Sequence, residues 1–215
     1  MKEKGFHQEQ FARAVALAGP AVLSLHGRER GESILSAARK NFGDLLPGLP
    51  AHRTLLSWGN FTGAPIALAY YRAVSPLMVR EQALADTQTF MTEVLSGIYS
   101  SLPAAARRVL RIPGLFELGL HALLRRDTWA DDPQGWIFHV LPRQPGHLFD
   151  FDVTRCGVHR YLSEQGAPEL TSRAICPLDD WFAENALPPG TRLSRATYLS
   201  RGDSCCSFRY LKPGA

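Results

Sequence analysis

No cysteine precedes Cys156, and the four that exist, Cys156, Cys176, Cys205 and Cys206, all fall in the last 60 of the 215 residues. No apolar run approaches the roughly 20 residues that span a bilayer, which excludes a membrane-crossing helix. The opening MKEKGFHQEQ is too polar for an export signal. A cytoplasmic, reducing location is therefore expected, with thiols rather than disulfides. The phosphate-cradling patterns G-x4-G-K-[ST] and G-x-G-x-x-G are missing, and so is the G-x-S-x-G nucleophile elbow. No paired C-x2-C knuckle occurs, although Cys156, His159, Cys176 and Cys206 are ligand types that zinc accepts. Neither a metal nor a cofactor is expected. Repeats and low-complexity tracts are absent as well, and the composition, 45% hydrophobic and 20% charged, suits an ordinary globular core.

The net charge of +4 is unevenly spread. Residues 1–129 carry 15 Lys+Arg against 10 Asp+Glu, and residues 130–215 carry 9 against 10. The excess is scattered over pairs such as Arg39-Lys40, Arg107-Arg108 and Arg125-Arg126. There is no basic tail and no RNA-binding aromatic signature, so no nucleic acid partner is expected. A solvated basic face, or attraction to an anionic substrate or carrier, accounts for the excess better.

Apolar periodicity places helices over residues 8–18, stopped by Gly19-Pro20, and 32–42, stopped by Gly43. Further helices are read over 64–74, 77–102, 104–111 and 115–126, the last closing on Arg125-Arg126, with a loop through TWADDPQGW. The texture then changes. Residues 135–141 and 147–155 are β-branched and aromatic around the turn RQPG, which predicts a β-hairpin. A helix over 156–165 ends at Gly166, residues 191–199 alternate as a strand, Arg201-Gly202-Asp203 is a turn, and CCSFRY is a last strand. The expected architecture is α+β: a helical N-terminal layer on a small antiparallel sheet. It forms one domain over 1–215, helical over 1–129 and cysteine-bearing over 130–215.

The thiols come in three settings. Cys156 ends a strand and opens a helix, where free N–H groups lower a thiol pKa, and His159 lies three residues on. A Cys-His pair is a minimal activated nucleophile; a buried thiol beside a surface histidine is the plainer reading. Cys176 and Asp179 are three apart and can face one pocket, with Asp179 as base or as partner of an amidinium; the same aspartate could instead cap a short helix through Trp181 and Phe182. In the last strand, alternation puts Cys206, Phe208 and Tyr210 on one face and Cys205, Ser207 and Arg209 on the other. Cysteine among aromatics usually packs a core, while Arg209 could hold a carboxylate in a two-pronged grip.

Taken together, F-D-F-D-V-x-R-C (149–156), G-A-P-E-L (166–170), C-x2-D (176–179), Thr197, Gly202 and C-x-F-R-Y (206–210) resemble the L-2-amino-thiazoline-4-carboxylic acid hydrolases. The likeness is specific over about the last 75 residues and general over the N-terminal helices. It implies a cofactor-free hydrolase acting on a carbon–nitrogen bond outside peptides, one that opens a cyclic amidine. On the matching positions it implies Cys156, Cys176, Asp179, Cys206, Phe208 and Arg209. Ser207 stands where the family motif carries aspartate. If that carboxylate activates the attacking water, this chain has lost it, which would suit a non-hydrolytic cyclase of natural-product biosynthesis instead.

The resulting expectation is an enzyme for a small cyclic amidine or thiazoline substrate, free or attached to a carrier protein. Cys206, Cys176 or Cys156 is the candidate nucleophile, Asp179 or His159 moves protons, and Arg209, Arg155, Phe208 and Thr197 bind substrate. The alternatives are the cyclase and a non-catalytic binding module. No membrane partner is expected, and a homodimer is left open.

Overall fold

The computed structural model describes residues 3–52, 55–112, 114–124, 135–142 and 144–214. Six helices come first: α1 (Glu3–His26), α2 (Arg28–Leu45), α3 (Leu55–Val74), α4 (Arg80–Ser101), α5 (Ala104–Leu110) and α6 (Leu115–Leu124). Strands β1 (Ile137–Val140) and β2 (His147–Arg155) follow, then helices α7 (Gly157–Glu164) and α8 (Cys176–Ala186), then β3 (Arg192–Ser194) and β4 (Cys206–Leu211). No described helix is long and apolar enough to cross a membrane.

The α1 helix runs straight through Gly19-Pro20 instead of stopping there. A proline inside a helix costs roughly 3 kcal/mol. Here His7, Phe11, Ala14, Val15, Ala18 and Val22 form one buried stripe along the helix. Burial of that stripe against α2 and α4 outweighs the local cost. Gly27 makes the turn into α2 with φ of 77°, a conformation that favours glycine. Gly43 likewise lies inside α2, which continues to Leu45. The stretch of α3 from Ala64 to Tyr70 is buried at every position, and Phe61 and Val74 are shielded from solvent as well. It forms the centre of the helical layer, and Tyr70 stacks on Phe90 of α4 at 4.0 Å. The predicted end of α6 at Arg125-Arg126, most of the TWADDPQGW loop and Arg143 of the hairpin turn lie outside the described residues.

The sheet is antiparallel throughout, in the order β1-β2-β4-β3. The β1–β2 hairpin is the one read from the sequence. Phe151 stands opposite Phe208 and Val153 opposite Cys206, so one sheet face presents a row of aromatics ending in a thiol. The strand expected over 191–199 shrinks to three residues. Beyond Ser194 the chain turns its polar groups onto side chains instead: Ser207 Oγ accepts the N–H groups of Ala196 (3.0 Å) and Thr197 (3.1 Å). Side-chain acceptors of this kind compete directly with ladder hydrogen bonds. Between α7 and α8 the helix widens into a π turn over Thr171–Ile175. Nothing in the periodicity announced it.

Candidate active site

Where the aromatic face of β2 and β4 meets α6, α7, the π turn and α8, a cavity of about 440 Å³ opens. It brings together Cys156, His159, Cys176, Asp179, Cys206 and Phe208, six of the nine predicted site residues, from α7 with its N-cap, α8 and β4. The alternation read for the last strand holds, since Cys206, Phe208 and Tyr210 all line the cavity.

The remaining three stand elsewhere. Arg209 points to the opposite sheet face, where its Nη2 donates to Asp152 (2.8 Å) and its Nη1 to the carbonyls of Phe151 (2.9 Å) and Phe208 (3.0 Å). Its guanidinium locks β4 to β2. Thr197 Oγ1 meets Cys205 Sγ at 3.6 Å outside the cavity. Arg155, at the end of β2, does not line the cavity either.

Each thiol has a distinct setting. Cys156 is the N-cap of α7, and its Sγ accepts the N–H of His159 at 3.5 Å. The expected lowering of its pKa does not follow. Burial pushes the Cys156 thiol up to about 11, and the backbone N–H groups recover only part of that. The His159 ring turns its Nδ1 to Thr171 Oγ1 (3.3 Å), and burial lowers its pKa, so it stays neutral near pH 7. Cys176 opens α8; burial raises its pKa, and the charge of Asp179 adds to the rise. Cys206 is raised by burial too, but two features favour its anion: the Leu199 N–H donates to its Sγ at 3.2 Å, and Arg195 lies within electrostatic reach. Among the described residues no group of three or more His, Cys, Asp or Glu is arranged to hold a metal ion.

Asp179 sits at the hub, its charge acting on Cys156, Cys176, Cys206 and Tyr210. It does not cap α8, because that helix begins three residues earlier. Its side chain is 44% exposed, yet the surface it offers faces the cavity, with protein close around it. This desolvation pushes the carboxyl up to about 6, with Arg195 opposing and Asp180 adding to the rise.

Arg195 is the residue that sequence reasoning missed. Its side chain is only 2% exposed. It donates to Asp179 (3.0 Å), to Asp180 (2.6 Å) and to the Cys176 carbonyl (2.7 Å). Its guanidinium lies 5.2 Å from the ring centres of both Tyr198 and Phe208. In the sequence it was one more polar position in an alternating strand. No signal there distinguished it from Arg192 or Arg201.

Residues 60–210 match the L-2-amino-thiazoline-4-carboxylic acid hydrolase family. The chain belongs to that family. No curated protein and no solved structure matches it. The matched span runs from Asn60 on the cavity wall to Tyr210 on the sheet, so it contains every described cavity residue, while α1 and α2 lie before it. The Ser207 departure takes on a different meaning. Ser207 faces away from the cavity and staples the 196–197 backbone, so it is not placed to activate a water at the thiols.

Proposed function

We propose that this chain is a hydrolase-type enzyme that acts at the electrophilic C=N carbon of a small cyclic amidine or thiazoline, with Cys206 as nucleophile and Asp179 as the proton carrier. The observation that carries this reading is the convergence of Cys206 and Asp179 in one cavity, with the Leu199 N–H on the sulfur and Arg195 beneath the carboxylate. Burial raises the Cys156, Cys176 and Cys206 thiols, so in this reading none of the three waits as a thiolate in the free enzyme. The S–H proton passes to Asp179 as the sulfur–carbon bond forms. The ring heteroatom then leaves that carbon and takes the proton from Asp179. Water adds to the thioimidate, Asp179 again accepts a proton, and collapse releases the opened product and returns the thiol. Cys176 and Cys156 flank the reaction, and His159 serves as a neutral hydrogen-bonding wall.

A second reading, ring closure by positioning without a covalent step, draws on the aromatic walls of the cavity. Separate Cys156→Ala, Cys176→Ala and Cys206→Ala variants, assayed on a panel of cyclic amidines and thiazolines, distinguish the two. Cys206→Ala is expected to lose several orders of magnitude in turnover, and intact mass is expected to reveal a substrate adduct on the wild type. Near-normal turnover in Cys206→Ala overturns the thiol mechanism. A folded wild type inert on the whole panel overturns the hydrolase reading.

A further inference from the structure

The cavity is far more apolar than its polar pole requires. On the sheet side, Phe151 and Phe208 stack at 4.7 Å with planes 9° apart, and Phe138 meets Phe151 edge-on at 6.0 Å. From the helices, Phe116 approaches Tyr210 (5.7 Å) and Phe182 (6.3 Å), closing a second aromatic wall. Thiols and Asp179 occupy only part of the lining, and about 440 Å³ is space for a drug-sized ligand rather than for a single small ring.

The charge of the described lining is just as one-sided. Among the described lining residues there is one carboxylate, Asp179, and neither lysine nor arginine. Both terminal nitrogens of Arg195 are committed to Asp179, Asp180 and the Cys176 carbonyl, and Arg209 is on the other face of the sheet. A substrate carboxylate would enter a desolvated space beside a charge of its own sign. An amidinium would find Asp179 waiting. Burial of a charge without a partner is costly, so the cavity selects against the first and for the second.

We infer that the substrate of this chain is a neutral or cationic amidine-type ring bearing an aryl or bulky alkyl group, and not a free ring carboxylate. The inference rests on the site reading above and specifies its substrate class. The ring lies against Asp179 and Cys206, and the apolar group lies in the trough between the Phe151–Phe208 stack and the Phe116–Phe182 wall.

The test is direct binding, read independently of turnover, by isothermal titration of the full-length protein with two probes: 2-amino-4-phenyl-thiazoline and 2-amino-thiazoline-4-carboxylate. The phenyl compound is expected to bind at least ~10-fold more tightly. Asp179→Asn is expected to narrow that ratio from both sides, weakening the phenyl compound and strengthening the carboxylate. Phe116→Ala is expected to weaken the phenyl compound ~5- to 10-fold, with Phe182→Leu as a gentler substitution in the same wall should the alanine variant fail to fold. Equal affinities, a preference for the carboxylate, or no binding of either probe overturns the inference. Tight phenyl binding without turnover leaves the substrate class standing and removes the hydrolase chemistry. Turnover with a carboxylate preference does the reverse.

Discussion

Arg195 Nη1 lies 3.0 Å from Asp179 Oδ2, and the arginine is almost wholly buried while the carboxylate opens onto the cavity. One guanidinium thus fixes the first turn of α8 to the segment that follows β3, and it does so directly beneath the group proposed to carry protons. Burial works against the arginine's charge, but Asp179 and Asp180 outweigh it and hold the side chain protonated.

Removal of that support is expected to affect both folding and chemistry. Arg195→Leu should cost about 2–3 kcal/mol, below the 3–5 typical of fully buried pairs because both carboxylates keep open surface. It should also raise the Asp179 pKa and move the acid limb of the rate profile to higher pH. Arg195→Lys keeps a charge but not the forked geometry, and should fall between. Unfolding curves and pH–rate profiles of the three proteins check this. A stability loss with no movement of the pH limb would reduce Arg195 to a purely structural part.

The rate itself should titrate with Asp179. A base must be deprotonated, so kcat/KM is expected to fall about tenfold per unit below pH 6 and to level off above it. The stability effect has the opposite sign. The folded carboxyl titrates near 6 against an ordinary 3.8, so the native state binds the proton more tightly, and this group's contribution to stability declines as pH rises from about 4 to 6. Asp179→Asn should erase both dependences. A wild-type profile flat from pH 5 to 8 would exclude Asp179 as the proton acceptor.

Alkylation rates report on the resting thiols. With burial raising Cys156, Cys176 and Cys206, iodoacetamide should modify these three slowly at pH 7.5 and faster with rising pH, Cys156 not reaching half its limiting rate until about pH 11. Peptide mapping by mass spectrometry gives each site separately. Rapid modification of Cys206 at neutral pH would mean a standing thiolate, and the concerted proton transfer would have to be abandoned.

Ser207 offers a test of the family motif. Its Oγ satisfies two backbone N–H groups, and the residue is 7% exposed. Ser207→Ala should therefore cost roughly 1–3 kcal/mol in stability through stranded donors, with turnover changed less than about threefold at temperatures where the variant is folded. Ser207→Asp supplies the same acceptors and should leave turnover similar. A rise of orders of magnitude in the aspartate variant would show that the motif carboxylate has a chemical role after all.

The sequence made the helices, the hairpin and the alternation of the last strand legible because each rests on local periodicity of several residues. It made Cys206, Cys176 and Asp179 legible because cysteines and acids stand out by type, and Phe208 because it shares the strand parity of Cys206. Punctuation was less reliable. Gly19-Pro20 and Gly43 read as stops, yet α1 and α2 pass through them because tertiary burial exceeds a local penalty. Arg209 and Arg195 were the harder pair. Strand parity correctly put Arg209 on the face away from Cys206, so its carboxylate-gripping role was already in tension with the pattern. Arg195 gained its importance only through partners 15 to 19 residues away, a relation no local pattern encodes.

The π turn at Thr171–Ile175 has a lineage-level consequence. A π turn is an α-helix carrying one surplus residue. The turn takes up that residue by widening, so the helix on either side keeps its phase. Cys176 and Asp179 begin immediately downstream. Loss of one residue within the turn would leave a regular helix with both side chains still directed at the cavity, whereas loss of one residue from a regular stretch would swing everything after it by about 100°. The wide turn is therefore the place where this segment can change length by one residue and keep Cys176 and Asp179 in register with Cys206.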